Sequence, residues 1–287
     1  MNNKVNTSAR IKLIISRVIV YAILIFLAFL CLFFFWLMIV NASRSNAQLQ
    51  SGFELFPKEN FFTNFRNAWT DGSINIPTGM KNSFIVATLS AVLTTYFSAL
   101  TAYGTYVYNF RFKKAVHLFI LAIMMIPSQV SAVGFIQLAF KYHLTNKLWL
   151  LIIPSIAAPA VYFYMRQYLQ ATLPLEMVEA ARIDGSNEFR IFNQIVLPIM
   201  KPAMAVQMIF SFVGSWNNYF MPALLLNDAK KKTVPVMIAT LRSADYSKFD
   251  MGKVYMLMVM AILPVMIIYI ILSKSIIKGV TSGSVKG

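Results

Sequence analysis

The chain is short of charge, and shorter still of negative charge. Only 13% of its residues are Asp, Glu, Lys or Arg, about half the share of an ordinary soluble domain, and 58% are hydrophobic. In water such a chain would expose large sticky patches, so its natural solvent is the bilayer. Ten acids face 26 Lys and Arg, a net charge of +16. In a soluble protein that excess would point to nucleic acid. Here it is read as the basic flanks of membrane spans meeting anionic lipid headgroups, and no nucleic-acid partner is expected. The single cysteine, Cys31, excludes an internal disulfide and reads as a small apolar side chain within an apolar run. The two histidines, His117 and His143, fall at the edges of apolar segments and read as interfacial residues, not metal ligands. No GxxxxGK[ST] phosphate loop, HExxH, GxSxG or Cys/His cluster occurs. The chain is therefore expected to carry no catalytic residue, no metal and no cofactor.

What it does have is long hydrophobic runs. A helix needs roughly 20 mainly apolar residues to cross a bilayer, and helices satisfy their own backbone groups in lipid. Six segments qualify: about 18–40, 83–108, 116–138, 148–168, 203–226 and 254–273. The first is too long for a signal-peptide core and is read as an uncleaved span. The whole chain, 1–287, is expected to be one transmembrane domain. Lys4, Arg10, Lys12 and Arg17 precede the first span with no acid among them, which places the N-terminus in the cytoplasm. Six spans then place the C-terminus, the basic turn 109–115 and the segment 169–202 there too. Lys230, Lys231 and Lys232 fall outside, against the usual bias.

Residues 176–203, EMVEAARIDGSNEFRIFNQIVLPIMKPA, form the longest mixed-charge stretch. Pro174, Glu176 and Glu179 suit a helix start, predicting a short helix over 175–184. Gly185 suits a left-handed C-terminal position, and Ser186 can cap a second helix. Phe189, Phe192, Val196 and Ile199 recur at helical spacing, and Pro198 and Pro202 are expected to disturb the end of that helix. The stretch is either a loop that folds back on itself or a knob for a soluble partner.

The order Glu179-Ala180-Ala181, Gly185, Ile195, Leu197-Pro198 resembles the EAA loop of ATP-binding-cassette importer permeases. The flanking residues, with NSFIVATLSA at 82–91, MMIPSQV at 124–130, FVGSWNNYFMPALLL at 212–226 and the tail GVTSGSVKG, are similar to the carbohydrate importers, in particular to the maltose transporter's second permease. The resemblance implies an all-α integral membrane protein of six transmembrane helices with a cytoplasmic helix-Gly-helix coupling loop. Glu179, Ala180, Ala181, Asp184, Gly185, Ile195, Leu197 and Pro198 would couple it to an ATPase dimer, which binds the ATP and Mg. A second permease and an extracytoplasmic solute-binding protein complete the implied assembly in a bacterial cell membrane. Residues 240–250 would meet the binding protein through Arg242, Ser243, Ala244, Asp245 and Tyr246, or be an ordinary surface loop. The tail would insert between the ATPase subunits, or fray.

No Asp, Glu, Lys or Arg is placed in the core of the six spans, which argues against an ion-coupled carrier and fits a neutral solute. Gln129, Trp216, Asn217, Asn218 and Tyr219 are the candidate pathway residues, since amides and aromatic faces suit sugars. Their alternative role is helix–helix adhesion, the reading taken for Gln207. The rival functions are an importer of the same architecture for peptides or polyols, an ion-coupled carrier and a membrane-embedded enzyme.

Overall fold

A computed structural model describes residues 2–72, 75–242 and 250–284, with side chains described over 10–72, 75–241 and 250–271. The described residues are all-helical in their regular structure: α1 Asn2–Ala42, α2 Asn46–Gln50, α3 Phe61–Trp69, α4 Ile76–Val107, α5 Lys113–Met124, α6 Ser128–Lys141, α7 Trp149–Ile152, α8 Pro159–Thr172, α9 Leu175–Ile183, α10 Glu188–Ile191, α11 Leu197–Trp216, α12 Phe220–Leu225, α13 Val234–Arg242 and α14 Met251–Ser284. Five helical stretches are long and apolar enough to cross a membrane, or six if the bent pair α5 and α6 counts as one span. The chain parts into two compact units, residues 1–68 with 245–260, and residues 69–244 with 261–287.

In the first unit a polar knot closes the end of α1. Ser45 and Gln48 form a capping box on α2. The buried Arg44 guanidinium donates to the Gln48 carbonyl and, at 2.7 Å, to that of Gly52. The buried Asn64 amide donates to the carbonyls of Ala42 (2.8 Å) and Arg44 (2.9 Å). The two Asn64 bonds satisfy carbonyls at and just beyond the α1 terminus. Gly252 packs so close that a Cβ there would run into the Arg44 carbonyl and the Asn64 side chain. The loop 41–68 is thus a built structure, although its sequence shows only polarity and turn residues.

The second unit is organised around α4. Ala87, Ala91, Ala99, Ala102, Ser83, Ser90, Thr94, Thr95, Ser98 and Thr105 are all buried on it. Small side chains let backbones approach closely, and in lipid packing stands in for the hydrophobic drive. α4 runs beside α8 and α11 accordingly.

Several sequence expectations shift. The segment 116–138 is not one straight span: it breaks between α5 and α6 with a 92° bend. Pro127 has no N–H and restricts the residue before it, so the backbone ladder stops there. The fourth segment reaches Thr172 and contains a 3-10 turn at Ile153–Ile156, around Pro154. It also holds Arg166, half-buried, with an Nε that finds no hydrogen-bond partner among the described residues. The fifth apolar helix spans Glu188–Trp216 and not 203–226, because the chain turns at Asn217 before α12. Pro198 and Pro202 do not disrupt it. A π turn at Phe192–Val196, in which the Leu197 amide reaches back to the Phe192 carbonyl, precedes Pro198 and absorbs its missing donor.

Candidate functional site

Two features of the second unit could do chemistry or mechanics: a hairpin at one end of α4 and a cavity along it.

The hairpin is α9, Gly185 and α10. Gly185 has φ +76°, a left-handed backbone that glycine adopts freely. Its amide bonds the Arg182 carbonyl and the Ser186 amide bonds that of Ala181, both at 3.0 Å. This is a Schellman close, and it satisfies the carbonyls that end α9. The second helix is capped by Asn187 and not by the expected Ser186: its Oδ1 accepts from the Arg190 amide at 2.8 Å. Across the turn Arg182 Nε meets Glu188 Oε1 at 2.6 Å. Tyr103 of α4 donates to the other carboxylate oxygen at 2.8 Å, and the Arg182 guanidinium lies 5.2 Å from the centre of the Tyr108 ring. Hydrogen bonding to Glu188 holds Arg182 above its already high pKa.

Underneath, Val178, Ala181, Ile191, Phe192 and Val196 are buried with Tyr103, Tyr162, Met165, Leu169 and Leu173. Phe192 lies between Tyr96 and Tyr103, with ring centroids 5.7 and 5.5 Å away. The hairpin is therefore fastened to the bundle by an apolar base and by a carboxylate held from two sides. On the outer surface Glu179, Ala180, Asp184, Gly185 and Pro198 are exposed, Ile195 and Leu197 are half-buried, and Ala181 belongs to the base. Two large apolar residues also stand out, Ile183 at 85% exposure and Phe189 at 73%. The helical spacing of Phe189, Phe192 and Val196 does not put all three on one buried face: Phe192 and Val196 are buried and Phe189 is exposed. α10 is one turn long, and the extra residue of the π turn rotates the helix beyond it by about 100°.

The cavity, about 1030 Å³, lies between α4, α6, the turn at 153–156, α11 and α12. Its polar lining is hydroxyl or carboxamide throughout: Ser90, Thr94, Ser128, Gln129, Ser131, Ser155, Ser211, Ser215 and Asn218, and no ionisable side chain contributes. Phe135 and Phe220 supply ring surface. The wall is tied across α4: Thr94 Oγ1 donates to the Ser155 carbonyl at 2.7 Å, and Ser155 Oγ lies 3.3 Å from the Ser90 carbonyl. The Ser90 hydroxyl itself is buried with no partner among the described residues.

Of the candidate pathway residues, the structure brings Gln129 and Asn218 together on this cavity. Asn218 Oδ1 also accepts from the Met221 amide at 3.3 Å. Trp216 sits in the packing instead: it is 3% exposed, stacks on Phe212 at 5.7 Å and donates to the Ala261 carbonyl at 3.0 Å. Asn217 ends α11 and the half-exposed Tyr219 precedes α12, neither on the lining. Arg242 ends α13, while Ser243, Ala244, Asp245 and Tyr246 lie outside the described residues, as do the last three residues of the tail. The sequence suggests Glu188 only as a first-turn residue of the second helix, and the clamp it forms with Tyr103 and Arg182 escaped that reading. Arg182 and Glu188 flank the glycine visibly, but Tyr103 is 85 residues from its partner and nothing local announces it.

Comparison with known proteins agrees with this architecture. The arabinooligosaccharides transport system permease protein AraQ of Bacillus subtilis (strain 168) is 34% identical over 258 residues, covering 88% of this chain and 89% of that protein. The trehalose/maltose transport system permease protein MalG of Thermococcus litoralis is 28% identical over 278 residues, covering 96% and 98%. In fold, the chain is similar to one from the crystal structure of a bacterial ABC transporter involved in the import of the acidic polysaccharide alginate. The TM-score is 0.79 at 21% identity, covering 91% of this chain and 96% of that one. Residues 75–281 match the family described as binding-protein-dependent transport system inner membrane component. The chain belongs to that family, as a multi-pass membrane permease.

Proposed function

We propose that this chain is a permease subunit of an importer that carries a sugar or oligosaccharide across the bacterial cell membrane, driven by ATP hydrolysis on a separate subunit. The observation that carries the reading is the pairing of a capped, base-packed hairpin with a cavity of hydroxyls and carboxamides about 1030 Å³ in volume. A surface that offers Ile183, Phe189 and Glu179 to solvent from a rigid base is fit to sit in a cleft of a soluble partner. A cavity without ionisable groups suits an uncharged, hydroxyl-rich solute, and the relatives AraQ and MalG are permeases of transport systems for arabinooligosaccharides and for trehalose and maltose.

In this reading segment 169–202 is the coupling loop, six spans cross the membrane, and both termini are cytoplasmic. Glu179, Ala180, Ala181, Asp184, Gly185, Ile195, Leu197 and Pro198 meet or support the ATPase dimer, where ATP and Mg bind. A second permease completes the pathway and a solute-binding protein delivers the sugar. Closing of the ATPases on ATP moves the hairpin, and the hairpin moves the helices that line the cavity.

The test is reconstitution of the assembled transporter in proteoliposomes, with sugar uptake and ATP hydrolysis measured together. Uptake that needs both ATP and the binding protein supports the reading. Uptake driven by an ion gradient, without ATP, refutes it.

A further inference from the structure

We propose that Arg166 and His117, in the groove between α5 and α8, form a binding site for a phosphate group supplied by a phospholipid headgroup of the leaflet beside the hairpin. The proposal rests on the function given above, which makes that leaflet the cytoplasmic one, where anionic lipids gather. α4 and α8 run side by side toward the hairpin. Thr94 Oγ1 donates to the Ser155 carbonyl at 2.7 Å, Thr105 Oγ1 lies 3.0 Å from the Tyr162 hydroxyl, and the Tyr106 hydroxyl donates to the Leu173 carbonyl at 3.3 Å. α8 ends at Thr172, six residues past Arg166 and about 9 Å at the helical rise. A long basic side chain so near a span end reaches the headgroups along its own stem.

On α5 Lys113, His117, Ile120 and Leu121 are half-buried and the remaining residues are exposed, so one stripe at helical spacing faces the bundle. His117 Nδ1 lies 2.9 Å from the Tyr162 hydroxyl. Tyr162 stands one turn before Arg166 on α8, and the Arg166 charge acts on the His117 ring. Lys113, one turn before His117, is tied to the Tyr106 carbonyl at 2.8 Å. No residue of α5 is fully buried, so the groove it makes with α8 is shallow.

Arg166 is half-buried, its Nε is buried, and it makes no hydrogen bond or ion pair among the described residues. The chain has no Asp or Glu between Asp71 and Glu176, so none of α4 to α8 can supply a counter-ion. On the hairpin Glu188 is taken by Arg182 and Tyr103, and Glu176 and Glu179 are exposed on α9. A cation left unpaired at the edge of a bilayer is costly. A phosphate group answers it, because a guanidinium matches phosphate oxygens in pairs. When Tyr162 donates to Nδ1, the neutral His117 ring carries its proton on Nε2 and offers a second donor. The bound phosphate would then bridge α8 to α5, a helix with little packing of its own.

The test uses the whole transporter purified in dodecyl maltoside, a detergent without phosphate, and titrated with phosphatidylglycerol. Native mass spectrometry follows the bound lipid and thermal shift follows stability. For Arg166→Gln the affinity of the tightest-bound phosphatidylglycerol should fall at least about tenfold, and the lipid should raise the melting temperature less than in the wild type. Arg166→Lys, which keeps the charge without the paired nitrogens, should fall between the two. Lys141→Gln, at the far end of α6, should match the wild type. Without phospholipid Arg166→Gln should melt no lower than the wild type, since it removes an unpaired charge. Stabilisation of the wild type by inorganic phosphate and not by phosphatidylglycerol overturns the lipid as the source. Equal lipid binding by Arg166→Gln and the wild type overturns the site. Loss of the second permease from Arg166→Gln, with lipid binding intact, overturns it in favour of an acid on that permease. These readouts need neither ATP nor sugar, so a wild type without ATP-driven uptake refutes the transport reading separately.

Discussion

Replacing Ser90 by alanine separates a hydroxyl that serves transport from one that merely sits in the wall. The Ser90 side chain is 4% exposed and its Oγ is buried without a partner, while its neighbours Thr94 and Ser155 are both hydrogen-bonded. An unsatisfied buried polar group costs about 1–3 kcal/mol, so removing it relieves a penalty. The alanine variant should therefore melt at the same temperature as the wild type or a few degrees higher. Transport should move the other way. A hydrogen bond from this hydroxyl to a sugar is worth about 0.5–1.5 kcal/mol, roughly 2- to 12-fold in rate. The hydroxyl is buried behind the cavity surface, so the sugar reaches it only after the wall at 153–156 shifts. An interaction made after initial binding appears in turnover, and KM should change little. The assay is initial-rate uptake in proteoliposomes across a range of sugar concentration, paired with a thermal-shift measurement on the purified complex. Uptake within error of wild type, with a raised melting temperature, leaves the hydroxyl no role in transport. A lowered melting temperature refutes the premise that it lacks a partner.

Gly185→Asp should leave a membrane-inserted protein that no longer transports, because left-handed backbone costs other residues about 1–2 kcal/mol. Gly185→Ala meets the same backbone strain at φ +76° but adds only one methyl where aspartate adds a charged group to the exposed turn, so it should be milder; co-purification of the ATPase and sugar uptake distinguish the two. Tyr103→Phe removes one of the holds on Glu188, and a hydrogen bond to a charged group is worth about 1.5–3 kcal/mol. The sugar transported per ATP hydrolysed should fall while the complex stays assembled. Gly252→Ala should lower the melting temperature, because the new methyl meets the Arg44 backbone, which cannot swing aside as a side chain can. The purified single chain should show no ATP hydrolysis, measured by phosphate release.

How much of the molecule was legible in the sequence depends on the range of the forces involved. The long apolar runs were readable because lipid demands them everywhere along a span. Gly185 and its acidic and basic flanks announced the hairpin, since caps and turns are set by neighbours within a few residues. Pro127 stands in plain view in the third apolar segment, but a proline alone does not separate a mild kink from a 92° break, which depends on what packs against each half. Pro198 and Pro202 read as helix breakers because the π turn that accommodates Pro198 has no sequence signature of its own. Among the pathway candidates, composition could not tell Asn218, which reaches the cavity, from Trp216, which packs between helices two residues away. The clamp from Tyr103 to Glu188 joins residues far apart in the chain, and only the packing of α4 against the hairpin brings them together.

The uninterrupted run from Glu188 to Trp216 has a mechanical consequence. Its first turn is clamped in the hairpin, and its far end carries Ser211 and Ser215 on the cavity wall. The stretch from Glu188 to Ser211 makes a lever arm of about 35 Å at the helical rise. A tilt of about 10° pivoting at the hairpin would sweep the serine end of such an arm through about 6 Å, wider than a water molecule. Small rotations at the hairpin end would thereby be geared up to displacements on the scale of a sugar's hydroxyls, with no moving part besides the helix itself.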